Sequence, residues 1–353
     1  MKIKELEQKA IELLSHLIET PSFSGEEENT GKLIQDYLKA FGVEYSTSNN
    51  NVWAKNKYFD ENKPTILLNS HHDTVKPNSN YTNDPFKPEV IDGKLFGLGS
   101  NDAGGSLVSL LSLFVYNYLR KDMKYNLVLA ATGEEESSGT KGLNSLLTDL
   151  PQPDFAVVGE PTGMQMAIAE KGLLVLDGYA SGIAGHAAHN NTVNPIYKAI
   201  EDIQWFKTYE FPKVSELLGK IKMTVTQIDA GTQHNVVPAT CHFVVDIRVN
   251  DLYKNREIFE IVDQHTQSKV VARSFNLNSS SIDISHPFVQ AGLKCGRNTY
   301  ASPTLSDQSV LSCPSLKMGP GDSTRSHQAN EFIYLQEVSE GINIMIKIFN
   351  EIL

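Results

Sequence analysis

Several classes of protein are excluded by what this chain has little of. It carries three cysteines in 353 residues, Cys241, Cys295 and Cys313, far apart and without a Cys-x-x-Cys pair. That spacing argues against a disulfide framework or a thiolate zinc site, and free buried thiols are the ordinary expectation. Positive charge is also short. Lys and Arg total 31 against 42 Asp and Glu, a formal net charge of -11. Nucleic acid and anionic membranes are therefore poor partners. Long apolar runs are missing as well. The most apolar stretch, residues 107–119, contains Ser109, Ser112 and Asn117 and is too short to span a bilayer. Lys2, Lys4, Glu5, Glu7, Lys9 and Glu12 interrupt the first twenty residues, which is unlike a leader peptide. Leu6, Ala10, Leu13, Leu14 and Leu17 there follow helical spacing, and Pro21 stops the helix. A cytoplasmic protein is expected.

The rest of the composition, 40% hydrophobic and 21% charged, is that of a globular protein with real cores. The length points to two domains. Residues 65–69, 126–131 and 154–158 are short continuous apolar runs, and a buried helix is expected to open just after Asp102. Such strands alternating with helices predict an α/β fold with a mostly parallel sheet covered on both faces. Functional groups of such sheets gather beyond the carboxyl ends of the strands. The middle has another texture. Strands at 173–180, 221–228, 242–249 and 270–277, with helices at 195–207 and 252–268, give a β-α-β-β-α-β order, the ferredoxin-like arrangement. The expected organisation is a catalytic domain built from residues 1–171 and 283–353, with residues 172–282 inserted as an α+β domain.

The strand ends carry the chemistry. His71-His72-Asp73, Asp102 between Gly97, Gly99, Gly104 and Gly105, Glu134-Glu135-Glu136, and Gly159-Glu160-Pro161 all follow apolar runs or tight turns, and His327 closes a late loop. Oxygen and imidazole donors without thiolate suit zinc, with cobalt and manganese as relatives. A metal pair about 3.5–4 Å apart can clamp a carbonyl and activate water, given a bridging carboxylate, separate ligands for each ion and a base. Asp102 is the natural bridge. Gly97-x-Gly99 would need glycine at 102 to read as a nucleotide loop, and Asp stands there. His71 and His72 compete for one metal, Asp73 being placed to orient His71 from behind. Three adjacent glutamates are unfavourable unless a cation absorbs their charge, and one can be a ligand while a neighbour acts as base.

Taken together these segments resemble the zinc-dependent amidohydrolases that include acetylornithine deacetylase, succinyl-diaminopimelate desuccinylase and the glutamate-releasing carboxypeptidases. The resemblance covers nearly the whole chain. It implies two zinc ions, one held by His71 and Glu160, the other by Glu136 and His327, with Asp102 bridging and Asp73 orienting His71. The family's Thr-x-Asp-Glu-Glu reads Thr132-Gly133-Glu134-Glu135-Glu136 here, placing Glu135 at the general base, with Glu in place of Asp at 134. It also implies that the inserted domain forms a homodimer. Gly185-His186-Ala187-Ala188 with Asn194-Pro195-Ile196 matches a family segment whose histidine reaches the partner subunit's site and stabilises the oxyanion; His189 is a nearby competitor. Asn235 and Arg248 resemble substrate-contacting positions, Arg248 having a structural alternative in Asp246. Arg325 is a candidate for a substrate carboxylate.

In overall texture, notably residues 70–77 and 318–327, the chain looks most like acetylornithine deacetylases of arginine biosynthesis. The expected reaction takes N-acetylornithine to ornithine and acetate. N-succinyl amino acids, dipeptides and other acyl amino acids are the alternatives within the family. A different class, a non-catalytic metal-binding or dimerising module, would call for a missing ligand or an apolar residue at the base position, and neither is found.

Overall fold

The structure, a computed structural model, describes residues 2–353. It divides into two compact units. The first runs to Ile168 and includes Ser281–Tyr300 and Ser306–Leu353; the second holds Ala169–Ser280 and Ala301–Leu305.

At the centre of the first unit, the Thr65–His71 strand lies parallel to Asn126–Thr132 on one side and to Phe155–Val158 on the other. Ser315–Lys317 extends the parallel set beyond Phe155–Val158, while Asn51–Lys55 joins Asn126–Thr132 antiparallel. The sheet is thus mixed and mostly parallel. Its central strands are buried along their whole length, which explains their unbroken apolar runs. Successive side chains alternate between faces. Ile66 and Leu68 enter the larger core, whereas Leu67 packs with Val128, Ala130, Leu143 and Leu146 on the other face.

Three helices, Ile3–Glu19, Gly105–Asn117 and Leu335–Ile352, pack against one another over the larger core. The middle one is buried nearly all round. Its serines are tolerated because Ser109 and Ser112 donate to the carbonyls of Gly105 and Val108, 2.7 and 2.8 Å away. Each large aliphatic side chain buried here contributes roughly 1.5–3 kcal/mol relative to exposure. The strand runs two residues further than its apolar run, so His71 is its last residue rather than lying just past its end.

The second unit is a four-stranded antiparallel sheet in the order Lys222–Ala230, Thr240–Val249, Gly172–Ser181, Lys269–Ala272. With helices Pro195–Thr208 and Asn255–His265 this is the β-α-β-β-α-β arrangement. Two elements are shorter than their apolar content predicts. The second helix starts at Asn255 because Lys254 is extended and its N–H is taken by the Glu257 carboxylate at 2.7 Å. The last strand stops at Ala272. Beyond it the Leu277 carbonyl accepts from the Leu173 N–H and from the Asn255 side chain, at 2.9 and 2.8 Å, which ties the segment down as a loop. No cysteine is disulfide-bonded, and Cys241 is buried while Cys295 and Cys313 are half-buried. No helix among the described residues is long and apolar enough to cross a membrane.

Candidate metal centre

Six side chains come together: His71, Glu135, Glu136 and Glu160 at the carboxyl ends of parallel strands, with Asp102 and His327 supplied by loops. The His71 imidazole, 1% exposed, points its Nε2 at Asp102 Oδ1 (3.3 Å), Glu160 Oε1 (3.8 Å) and Glu135 Oε2 (3.9 Å). His327 Nε2 lies 3.0 and 3.1 Å from the two Glu136 oxygens and 3.9 Å from Asp102 Oδ2. Asp102 therefore turns one oxygen to each imidazole. One donor atom each from His71, Asp102 and Glu136 fall within 4.8 Å of one another, a set that could hold a metal ion.

Local chain geometry explains this convergence. Gly99 adopts a left-handed conformation (φ +75°), and a Cβ on Gly104 would sit 2.5 Å from the Gly99 carbonyl oxygen, so the loop carrying Asp102 folds tightly on itself. Glu134 also has positive φ (+56°). Its carboxylate accepts the Lys141 N–H at 2.9 Å, away from the cluster formed by its two neighbours. Asp73 supports the site from behind. Its carboxylate accepts the N–H groups of Glu135 and Glu136, both at 3.1 Å, and the Ser24 hydroxyl at 2.7 Å. His71 Nδ1 is 3.0 Å from the Asp73 carbonyl and 3.4 Å from its carboxylate, so the backbone shares the orienting role given to the side chain. His72 faces the opposite way and pairs with the Thr30 hydroxyl at 2.9 Å. Burial lowers its pKa to about 4 and keeps it neutral.

Electrostatics fit a missing positive charge. Two imidazoles face Asp102, Glu135, Glu136 and Glu160. Burial pushes the Glu160 carboxyl up to about 8, with Asp102 adding to the effect. Glu135 is raised well above the carboxylate range by burial, with Glu160 and Glu136 adding to it. Burial alone would lower His71, yet Glu135, Asp102 and Asp73 raise it well above its ordinary value. The hydrogen bond to Glu136 lifts His327 to about 9. Oxygen and imidazole donors in a charge-deficient cluster, buried except at His327, whose side chain is 54% exposed, are what a divalent ion of the zinc, cobalt or manganese type binds.

These shifts predict a pH effect. Between pH 6.5 and 8, metal-free folded protein binds more protons than unfolded protein at Glu160, His71 and His327. Its stability must then fall as pH rises through that window. His72 acts in the opposite sense, but below 6.5. The melting temperature of chelator-treated protein is expected to drop from pH 6.5 to 8, while metal-loaded protein changes less. Parallel pH curves with and without metal would contradict this.

Two buried carboxylates have no motif to announce them. Asp307 accepts the Thr132 hydroxyl at 2.9 Å, and burial raises it to about 6. Glu331, 2% exposed, accepts three backbone N–H groups from the Asp102 loop, although burial pushes it up to about 8. Their partners lie 175 to 232 residues away in sequence, so local spacing carries no signal.

Arg325 is occupied. Its guanidinium forms a two-pronged pair with Glu337 at 2.7 and 3.0 Å and lies over the Phe332 and Tyr334 rings. The remaining expected residues belong to the second unit. His186 is in a two-residue strand paired with Val236–Val237; its Nδ1 accepts the Ala188 N–H at 3.1 Å, and its ring is 5.5 Å from that of His189. Asn235 immediately precedes that partner strand and accepts the Ala187 N–H through its carbonyl at 2.9 Å. Arg248 is paired with Asp246 through two bonds of 2.9 and 3.1 Å.

Known proteins are similar to this chain in sequence and in architecture. The chain is 26% identical over 364 residues to a succinyl-diaminopimelate desuccinylase of Rickettsia bellii, covering 93% of this chain and 92% of that one. It is 25% identical over 360 residues to the enzyme of the same name from Wolbachia pipientis, covering 93% and 89%. Among solved structures it is similar to a metallo-carboxypeptidase of Sulfolobus solfataricus, at 17% identity and a TM-score of 0.76, covering 97% and 98%. It is also similar to a dinuclear metal-binding peptidase of Bacillus subtilis, at 17% identity and a TM-score of 0.73, covering 98% of each chain. Residues 67–351 match the sequence pattern of one family over most of the chain, and this protein belongs to peptidase family M20/M25/M40.

Proposed function

We propose that this family M20 hydrolase uses two metal ions, zinc in the first instance, to remove a short acyl group from an N-acyl amino acid. The observation that carries this reading is Asp102 with one oxygen toward His71 and the other toward His327. A carboxylate so placed suits a bridge between two ions, with His71 and Glu160 on one side and Glu136 and His327 on the other. A divalent pair held by these residues would supply Lewis-acid polarisation of an amide carbonyl and a more acidic attacking water. Glu135 accepts the proton from that water and returns it to the leaving amine nitrogen as the carbon–nitrogen bond breaks. Asp73 holds Glu135 and Glu136 through their N–H groups and keeps the base and ligand in register.

The acyl group separates two readings. Residues 70–77 and 318–327 favour acetylornithine, whereas the named relatives support an N-succinyl substrate. The Arg325–Glu337 pair removes one cation that could have met a substrate carboxylate, on the amino acid or on a succinyl group. The second unit serves as the dimerisation domain in this reading. Tyr179, Ile183, Tyr197, Ile200 and Ile228 are large apolar side chains exposed on it, and its Lys222–Ala230 strand forms one edge of its sheet. His186 then serves the oxyanion of the neighbouring subunit and Asn235 is a candidate substrate contact, while the two bonds from Arg248 to Asp246 favour a structural role for that arginine.

Amine release from N-acetylornithine, N-succinylornithine, N-succinyl-diaminopimelate and a dipeptide panel, with zinc or cobalt added, tests the proposal. Turnover of one acyl amino acid far above the others is the expected result. Turnover of dipeptides alone would replace the deacylase reading with a peptidase one. Silence on every substrate with metal bound would revive the non-catalytic module.

A further inference from the structure

The segment from Asp322 to Glu331 grips the loop from Gly99 to Asp102 at two points. At one, the Asn101 side chain forms a closed pair with the Asp322 backbone: its Oδ1 accepts the N–H at 2.9 Å and its Nδ2 donates to the carbonyl at 3.0 Å. At the other, the Glu331 carboxylate accepts the N–H groups of Gly99, Asn101 and Asp102 at 3.2, 2.8 and 2.9 Å. These N–H groups precede the helix that opens at Gly105, so no helical carbonyl takes them. Between the two grips lies His327, at φ +61°. The segment is pinned from a third direction too. Asn78 donates to the His327 carbonyl at 3.1 Å, and the Asn330 side chain accepts the N–H groups of Thr82 and Asn83 at 3.1 and 3.0 Å.

We infer that Glu331 is a positioning residue for the metal pair, holding the loop of Asp102 and the loop of His327 as one preorganised unit. The two side chains come from stretches that share no strand or helix, yet one carboxylate must meet both imidazoles at a fixed spacing. Glu331 supplies that constraint because it sits four residues from His327 and bonds directly to the Asp102 N–H. Its carboxylate oxygens are engaged by the three backbone N–H groups. Its effect runs through backbone placement, as outer partners of metal ligands generally act. The inference rests on the metal-hydrolase reading of Asp102 and His327.

The test compares wild type, Glu331→Gln and Glu331→Asp as full chains. Gln keeps one acceptor oxygen and sets an amide N–H against a backbone N–H; Asp keeps the charge on a shorter stem. Zinc affinity is read by competition with a chromophoric chelator, folding by melting of the metal-free protein, and kcat and KM on whichever substrate the panel identifies. Glu331→Gln is expected to weaken zinc binding by about 10–100-fold, with the loss in kcat exceeding any change in KM. Glu331→Asp should recover part of both. Wild-type zinc affinity and kcat in Glu331→Gln, with only the melting temperature lowered, would overturn the inference in favour of a purely structural role. Should Glu331→Gln fail to fold, unaltered zinc affinity and kcat in Glu331→Asp would overturn it equally. Wild-type protein that takes up no zinc, cobalt or manganese would sink the metal reading itself, and that outcome is distinct from a loss confined to the variants.

Discussion

Replacing Glu135 with Gln is expected to lower kcat by about 10²–10⁴-fold, the range over which a positioned acid–base group contributes, while leaving metal content and KM near wild type. The side chain keeps its size and its place near His71, 3.9 Å from Nε2, but can no longer take a proton from water. Its backbone N–H still donates to Asp73, so the turn that presents Glu136 is undisturbed. Kinetics on the best substrate, paired with elemental analysis of the purified variant, measures both quantities. The pairing matters because three glutamates stand in a row. If Glu135→Gln lost a metal ion while Glu136→Gln lost only turnover, the roles would be shifted by one place. If Glu135→Gln stayed active, proton transfer would belong to another group, and Asp307 would be the next buried carboxyl to substitute.

Four of the candidate ligand positions, His71, Asp102, Glu136 and Glu160, stand out in the sequence because each follows an apolar strand or sits in a glycine-rich turn, and such ends are where an α/β sheet collects its chemistry. His327, in a late loop, is singled out by the family resemblance alone. Glu134, Glu135 and Glu136 are not separable by spacing alone. The positive φ at Glu134 and its bond to Lys141 turn the first one away, a distinction that exists only in the folded turn. Arg325 shows the opposite failure. Two places from His327, it looks free in sequence to meet a substrate, yet Glu337, in the first turn of the last helix, takes its guanidinium. Glu331 and Asp307 are invisible in sequence because each is an ordinary carboxylate whose partners lie far along the chain. In the second unit the apolar pattern overruns the true helix and strand ends, because side chains, Glu257 and Asn255, fix each boundary against it.

Substituting Asp102 with Asn should abolish binding of both ions, whereas His327→Ala or His71→Ala should each leave one. The reasoning is geometric. A private ligand serves one ion, and its loss leaves the other ion's donors in place. A bridge serves two, and its charge also offsets the repulsion between the ions it separates. Asn is close to Asp in shape, and its backbone N–H can still donate to Glu331, so the fold should survive. The metal-dependent rise in melting temperature is the sensitive readout. An ion that binds only folded protein stabilises it by about 2.7 kcal/mol at a hundred times its dissociation constant, and Asp102→Asn should forfeit that gain, with activity lost along with it. Ion counts of two in wild type, one in each histidine variant and none in Asp102→Asn would be the pattern of a bridged pair. A single ion retained by Asp102→Asn would mean that this carboxylate serves one metal, and that the 3.3 and 3.9 Å approaches to the two imidazoles reflect hydrogen bonding within the cluster instead of a shared ligand.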